Sequence, residues 1–276
     1  MQAMDHTVSS PSTTDRLPVL FVSHGSPMFA LEAGETGPAL TRWGQALRQR
    51  HPGLRGVVIL SPHWMAHGVE VMAHAQPPTW HDFGGFPPAL YRLQYPAPGA
   101  PVLAQQVQAR LAQAGIAATL NPERPLDHGA WVPLMHLLPQ ADVPVVQLAL
   151  PVDADARAVY ALGQALQDLR SQGMLLVGSG SMTHNLREFF GGERQAASYV
   201  VEFSRWVEQQ VQAGAIDALL DWQQQAPHAL RAHPTDEHFL PLYFALGAGA
   251  GSTPHYLSRE VMYGMLAMDA FALQDE

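Results

Sequence analysis

An α/β fold, three layers deep with a mostly parallel central sheet and helices on both faces, is predicted by two features of the chain. Short apolar runs rich in Val, Ile and Leu recur without polar alternation, which is the pattern of strands covered on both sides. Between them lie segments whose apolar residues repeat at three- and four-residue spacing, as in helices that lay one face on a sheet.

The first run is LPVLFVS at 17–23. A helix follows, with Leu40, Trp43 and Leu47 on one face. GVVILSP at 56–62 is the second buried strand, and VEVMAHA at 69–75 is expected to pair beside it. Leu103, Val107 and Leu111 mark a second helix, with Pro101 near its start and Gly115 as its stop. VPVVQLAL at 143–150 is a third buried strand. Val159, Leu162, Leu166 and Leu169 form a helix between Asp153, read as its cap, and Gly173. MLLVGSG at 174–180 is a fourth strand, and Val200, Phe203, Val207 and Val211 repeat as a further helix. The stretch 261–273 reads as one more strand, with a helix as the alternative. No repeat or linker divides the chain, so residues 17–276 are expected to form a single catalytic α/β domain. Residues 1–16 are polar, lack the apolar core of a signal peptide, and read as a disordered tail.

Composition narrows the function. Hydrophobic residues make up 47% and charged residues 14% of 276, a compact globular balance. The net charge of −9, without a basic run, argues against nucleic acid and anionic membranes as partners. No apolar stretch reaches the roughly 18 residues of a membrane span. With no cysteine, disulfides, thiolate metal sites and cysteine nucleophiles are excluded, which fits a cytoplasmic location.

Residues 76–101 break the strand–helix rhythm with a segment dense in Pro, Gly and aromatics. A loop of this length inside a compact domain is functional or disordered. Its aromatic content favours order and a wall over a site for a flat ligand, with Trp80, Phe83, Phe86 and Tyr91 as wall residues; loop packing is the alternative.

The fourteen histidines are dispersed. His24 follows the first strand directly, His63 the second, and His184 the fourth after a short loop. The carboxyl edge of a parallel sheet is where α/β proteins bind ligands, so these three can converge. His238 lies just before Pro241, a residue suited to the first turn of a helix. The helix dipole there keeps an imidazole neutral, the form that binds metal. Any one such histidine is more often a hydrogen-bonded structural residue; four in equivalent positions point to a metal site. His128 adjoins Asp127, a helix cap. The pair either starts a helix or holds a general acid/base beside the metal. His233, His81 and His67 are weaker candidates, and His51, His228 and His255 read as solvated.

HGSP at 24–27, SPHW at 61–64, HDFGGFP at 81–87, YPAPG at 95–99, DHGAWVPL at 127–134, GSGSMTHNLR at 178–187 and HPTDEHFLPL at 233–242 occur in family order. Together they resemble the DOPA-type extradiol dioxygenases of the class III, LigB-type superfamily. The resemblance implies opening of a catechol ring beside its hydroxyls with non-haem Fe(II) and O2, and a small aromatic diol as substrate. It implies His24, His63 and His238 as metal ligands, His184 as a fourth ligand or close neighbour, and His128 as the acid/base. Zinc is found in place of iron in some members, so a bound Zn(II) would be compatible with it. Glu237 adjoins His238, and in the wider superfamily a carboxylate completes the triad; the closer resemblance assigns the role to His238. The rival readings are a zinc hydrolase on the same histidines and a non-catalytic metal-binding protein with a closed site.

Overall fold

The computed structural model describes residues 16–189 and 195–275. Apart from Arg16, the tail expected at 1–16 lies outside the described residues.

The strands are β1 (Val19–Ser23), β2 (Gly56–Ala66), β3 (Val69–Met72), β4 (Ala118–Asn121), β5 (Val145–Pro151), β6 (Met174–Gly180), β7 (Thr253–Ser258), β8 (Val261–Met262), β9 (Leu266–Ala267) and β10 (Ala270–Gln274). Eight form one mostly parallel sheet in the order β4-β3-β5-β2-β6-β1-β10-β7; β8 and β9 pair separately. At its centre β5, β2, β6 and β1 run parallel, and their residues are almost wholly buried. That burial is why these runs are continuously apolar rather than alternating.

Helices surround the sheet: α1 (Thr36–Arg50), α2 (Pro101–Gln113), α3 (His128–Leu137), α4 (Ala156–Leu166), α5 (Leu186–Phe189), α6 (Ser198–Gln212), three short helices α7 (Ile216–Leu220), α8 (Trp222–Gln225) and α9 (Ala229–Ala232), and α10 (Pro241–Ala248). α1 packs on α3, which lies against β2, while α4 packs on α10, which lies against β6 and β1. α10 is buried along its whole length, so it has no polar face to betray its orientation.

Several local expectations change. VEVMAHA does not pair beside β2: β3 joins β4 in parallel and meets β5 at Val71↔Leu148. The cap of α4 is Asp155, whose carboxylate accepts from Ala158 N at 2.8 Å, not Asp153. The 261–273 stretch contains strands, the last of them β10, antiparallel to β1. β2 continues past Ser61 through a register shift as far as Ala66, so His63 lies within the strand rather than after it. Such an irregularity re-aims side chains beside a functional site.

Register places the site. Ser23 pairs with Gly180 and Leu60 with Gly178, so β1, β2 and β6 end near one another at one edge. The segment entering α10 closes over this edge: Ser181 N donates to His238 O at 2.7 Å. Gly180 permits that approach, since a Cβ there would lie 2.3 Å from His238 O. Gly180→Ala is therefore expected to destabilise the fold by about 1–3 kcal/mol through overpacking. It should also weaken metal binding by displacing His238. Denaturant unfolding and metal titration of the same protein check this pair of effects.

Candidate metal centre

Three imidazoles meet at the edge. His63 Nε2 lies 3.0 Å from His24 Nε2 and 3.3 Å from His238 Nε2. The ligand-capable atoms of these three residues form one group compatible with a single ion. Nitrogens about 2.0–2.1 Å from a metal and separated by 90–109° lie roughly 2.9–3.4 Å apart, so the spacing fits.

Tautomers support the same reading. Ser179 Oγ gives its proton to Gly129 O and so accepts from His24 Nδ1 at 3.1 Å. His24 Nε2 is left as a bare lone pair. The carbonyl of Gly129 is free for Ser179 because its helical partner would be the N–H of residue 133, and Pro133 has none. His238 Nδ1 donates to Glu237 Oε1 at 2.9 Å, which bares His238 Nε2 in turn. A proton on His63 Nε2 could serve one of these two lone pairs at a time; a cation serves all three nitrogens at once.

Burial keeps the cluster uncharged. It pushes His24 well below the ordinary histidine range, and the neighbouring imidazoles of His63, His238, His128 and His184 push the same way. His63 is pushed down to about 3, by burial and then by His128, against the opposing charge of Asp82. His238 is lowered by burial, then by His184 and His63. Neutral imidazoles are the form a metal requires.

His184 stacks face to face on His238, with centroids 3.6 Å apart and planes 7° apart. Imidazole lone pairs lie in the ring plane, so an ion in the plane of His238 lies well out of the plane of His184. This geometry places His184 beside the trio rather than in it. Burial also lowers its pKa, against the opposing charge of Glu237.

His128 lies across from the trio, its ring 3.9 Å from that of His63. Its neighbour Asp127 faces away from it and into the scaffold. Asp127 accepts from Ser61 Oγ at 2.9 Å, from Arg124 Nη2 at 2.9 Å and from Gln147 Nε2, and it caps α3 at Ala130 N. Arg124 also donates to His63 O at 3.2 Å, so this buried carboxylate helps fix the His63 backbone. The partner of the His128 ring is Asp82, on the long loop. Asp82 Oδ1 accepts from His128 Nδ1 at 2.9 Å and from His128 N at 3.0 Å. Burial raises the Asp82 carboxyl, but the bonds and charge of His128 outweigh it and hold it below the usual carboxylate range. Asp82 was not among the residues singled out from sequence; its signals were an acid inside the aromatic loop and its place in the HDFGGFP motif at 81–87.

A cavity of about 510 Å³ opens over the centre. His63, His128, His184 and His238 line one side, and Phe83, Phe86, Leu186, Phe189 and Leu266 supply apolar walls. Trp80 and Tyr91 are not among the lining residues. Trp80 stacks under the Arg124 guanidinium at 4.8 Å, and Tyr91 packs behind Phe83 with ring centroids 5.4 Å apart. The remaining buried histidine, His233, sits among Phe203, Trp222 and Phe239 and donates to Met182 O at 2.9 Å. His228 pairs with Glu202 at the surface.

The sequence matches the aromatic ring-opening dioxygenases. The family model described as the catalytic LigB subunit of aromatic ring-opening dioxygenase matches residues 18–270, and the chain belongs to that family. It is 38% identical over 270 residues to a protein of Escherichia coli (strain K12) named 4,5-DOPA dioxygenase extradiol, covering 93% of this chain and 94% of that one. It is 37% identical over 230 residues to a Beta vulgaris protein of the same name, covering 83% and 85%. The crystal structure of an uncharacterized protein from Escherichia coli K12 superposes with a TM-score of 0.78 at 30% identity, covering 94% of this chain and all of that one. Among the described residues no helix is long and apolar enough to cross a membrane.

Two outcomes follow from the site. His24→Ala, His63→Ala and His238→Ala are each expected to abolish tight binding of a divalent ion, whereas His184→Ala should weaken it by about 10–100-fold or less, as for groups that orient ligands. Metal analysis of the purified variants checks this. The metal-free protein should also be acid-labile. His233 is pushed down to about 3 by burial, while the unfolded chain takes up that proton near 6.5. Its contribution is thus complete above about pH 6.5 and is lost as pH falls toward 3, at roughly 1.4 kcal/mol per pH unit. Unfolding free energies measured between pH 4 and 7 should have a shallower slope in His233→Gln.

Proposed function

We propose that the chain is an extradiol dioxygenase that opens a catechol-type ring with O2 at a divalent metal held by His24, His63 and His238. The observation that carries this reading is the convergence of three neutral imidazole Nε2 atoms at 3.0 and 3.3 Å beneath an apolar cavity, in a chain of the ring-opening dioxygenase family. When bound, such a metal supplies Lewis acidity for the catechol hydroxyls and, as Fe(II), the electron transfer that O2 chemistry requires.

The protein supplies the rest. Phe83 and Phe86 offer faces and edges against which a flat ring can settle, and the apolar walls exclude water from the reacting edge. His128 carries its proton on Nδ1, toward Asp82, so its Nε2 can accept the proton of a substrate hydroxyl and later return it as an acid. The imidazolium formed in between is stabilised by the Asp82 carboxylate at 2.9 Å. His184, stacked on His238 and lining the cavity, shields the trio on its other side. The substrate class is a small aromatic diol, and Fe(II) is the working metal, with Zn(II) a competent occupant but not a competent catalyst. A zinc hydrolase on the same trio would need water, not a flat apolar ring, to be the cavity's natural guest.

Loading the protein with Fe(II) without air and then exposing it to O2 and a panel of catechols tests the reading. A yellow ring-opened semialdehyde, with one O2 consumed per ring, is expected; an inert panel with a hydrolysed ester would favour the hydrolase. His128→Ala should keep its metal and lose about 10²–10⁴-fold in turnover, and Phe83→Ala should raise KM. A His128→Ala protein that is stable, iron-loaded and fully active would remove the proton-transfer role.

A further inference from the structure

The loop carboxylate Asp82 is not among the residues that line the cavity, and it lies within 4.8 Å of a ring nitrogen of His63 while bonding to His128. We propose that Asp82 is the positioning residue that fixes the tautomer of His128, so that seating of the 76–101 loop readies the base.

One oxygen makes both bonds. Asp82 Oδ1 accepts from the His128 ring at Nδ1 and from the His128 backbone N–H, at 2.9 and 3.0 Å. The backbone bond fixes where the oxygen sits, and the ring bond fixes which nitrogen keeps the proton. With Nδ1 protonated, Nε2 is a bare lone pair. Without that acceptor nothing holds the proton on Nδ1, and an Nε2–H tautomer cannot accept a proton from a substrate.

The carboxylate is held in place because the loop is pinned at the two residues before it. Trp80 N donates to Leu126 O at 2.9 Å, and Trp131 Nε1, from α3 itself, donates to Trp80 O at 2.9 Å. His81 Nε2 donates to Leu93 O at 3.0 Å. Phe83, the next residue, turns its ring to the cavity and meets the His128 ring edge-on with centroids 5.5 Å apart. Wall and base are therefore set by consecutive residues of one loop. A purely structural role would make Asp82 a second cap for α3, through the His128 N–H alone.

Substitution separates the two roles. In Asp82→Asn the backbone N–H still demands an oxygen at the Oδ1 position, so the amide presents its carbonyl to His128 Nδ1 and the tautomer is kept. In Asp82→Ala it is lost. The experiment is long-range ¹H–¹⁵N correlation of the histidine side chains in the zinc-loaded full chain, with kcat and KM of the iron-loaded chain measured in parallel. The parent and Asp82→Asn should show His128 protonated on Nδ1, and Asp82→Ala should shift it toward Nε2. Turnover should fall about 10–100-fold in Asp82→Ala and by less in Asp82→Asn, with KM and metal content near the parental values. An unchanged His128 pattern in Asp82→Ala overturns the proposal. So does an equal loss of turnover in both variants with Nδ1–H retained, since charge rather than tautomer would then be acting. Only the turnover readout rests on the ring-opening function. If the parent opens no catechol, that function fails while the tautomer measurement still decides the role of Asp82.

Discussion

Desolvation of imidazole is the constraint on which this molecule's chemistry depends. Histidines that in water would take up a proton near neutral pH are brought to the end of a buried sheet, where the charged form is excluded. Left alone, three neutral rings would put two lone pairs against a nitrogen that can satisfy only one. The fold nonetheless holds them in place. Ser179 fixes His24, Glu237 fixes His238, and the Asp127–Arg124 pair fixes the backbone of His63. His24 and His238 face inward because a hydrogen bond on the far side of each ring fixes its tautomer and direction, whereas His63 is held through its backbone. The helix proline, Pro133, belongs to this arrangement, since the carbonyl it leaves without a helical donor is the one that Ser179 uses.

The carboxylates stand behind the imidazoles rather than among them. Glu237 backs His238 and Asp82 backs His128, so each holds the ring proton on the nitrogen turned away from the cavity. A centre made of neutral donors stays more cationic than a triad with a carboxylate. Such a centre suits a substrate that arrives carrying negative charge on its oxygens.

Much of this was legible in the sequence. The four parallel central strands announce themselves as unbroken apolar runs, and the histidines that follow or interrupt them could be assigned to the carboxyl edge from order alone. What could not be read is lateral. The pairing of β3 with β4 and β5, rather than with β2, depends on packing of α2 and on the register of β5, neither of which leaves a local signal. His63 was expected after a strand and lies within one, because an irregularity in pairing is not written in residue type. The carboxylate paired with His128 was sought next to it, at Asp127. Proximity along the chain misled there: Asp127 is drawn into Ser61, Arg124 and Gln147, and the carboxylate bonded to the His128 ring comes from 46 residues away. Aromatic content marked the 76–101 loop, but composition could not separate Phe83 and Phe86, which face the cavity, from Trp80 and Tyr91, which brace the loop from outside.

The central claim is that His24, His63 and His238, and no fourth imidazole, hold one ion with positions left open for substrate. X-ray absorption at the iron edge of the Fe(II)-loaded chain, before and after anaerobic addition of catechol, tests it most directly. The account predicts three imidazole rings in the scattering pattern, with metal–nitrogen distances of roughly 2.0–2.2 Å. The remaining light oxygen ligands should be exchanged when catechol binds. Four imidazoles around the iron, or a ligand set that does not change on adding catechol, would contradict it.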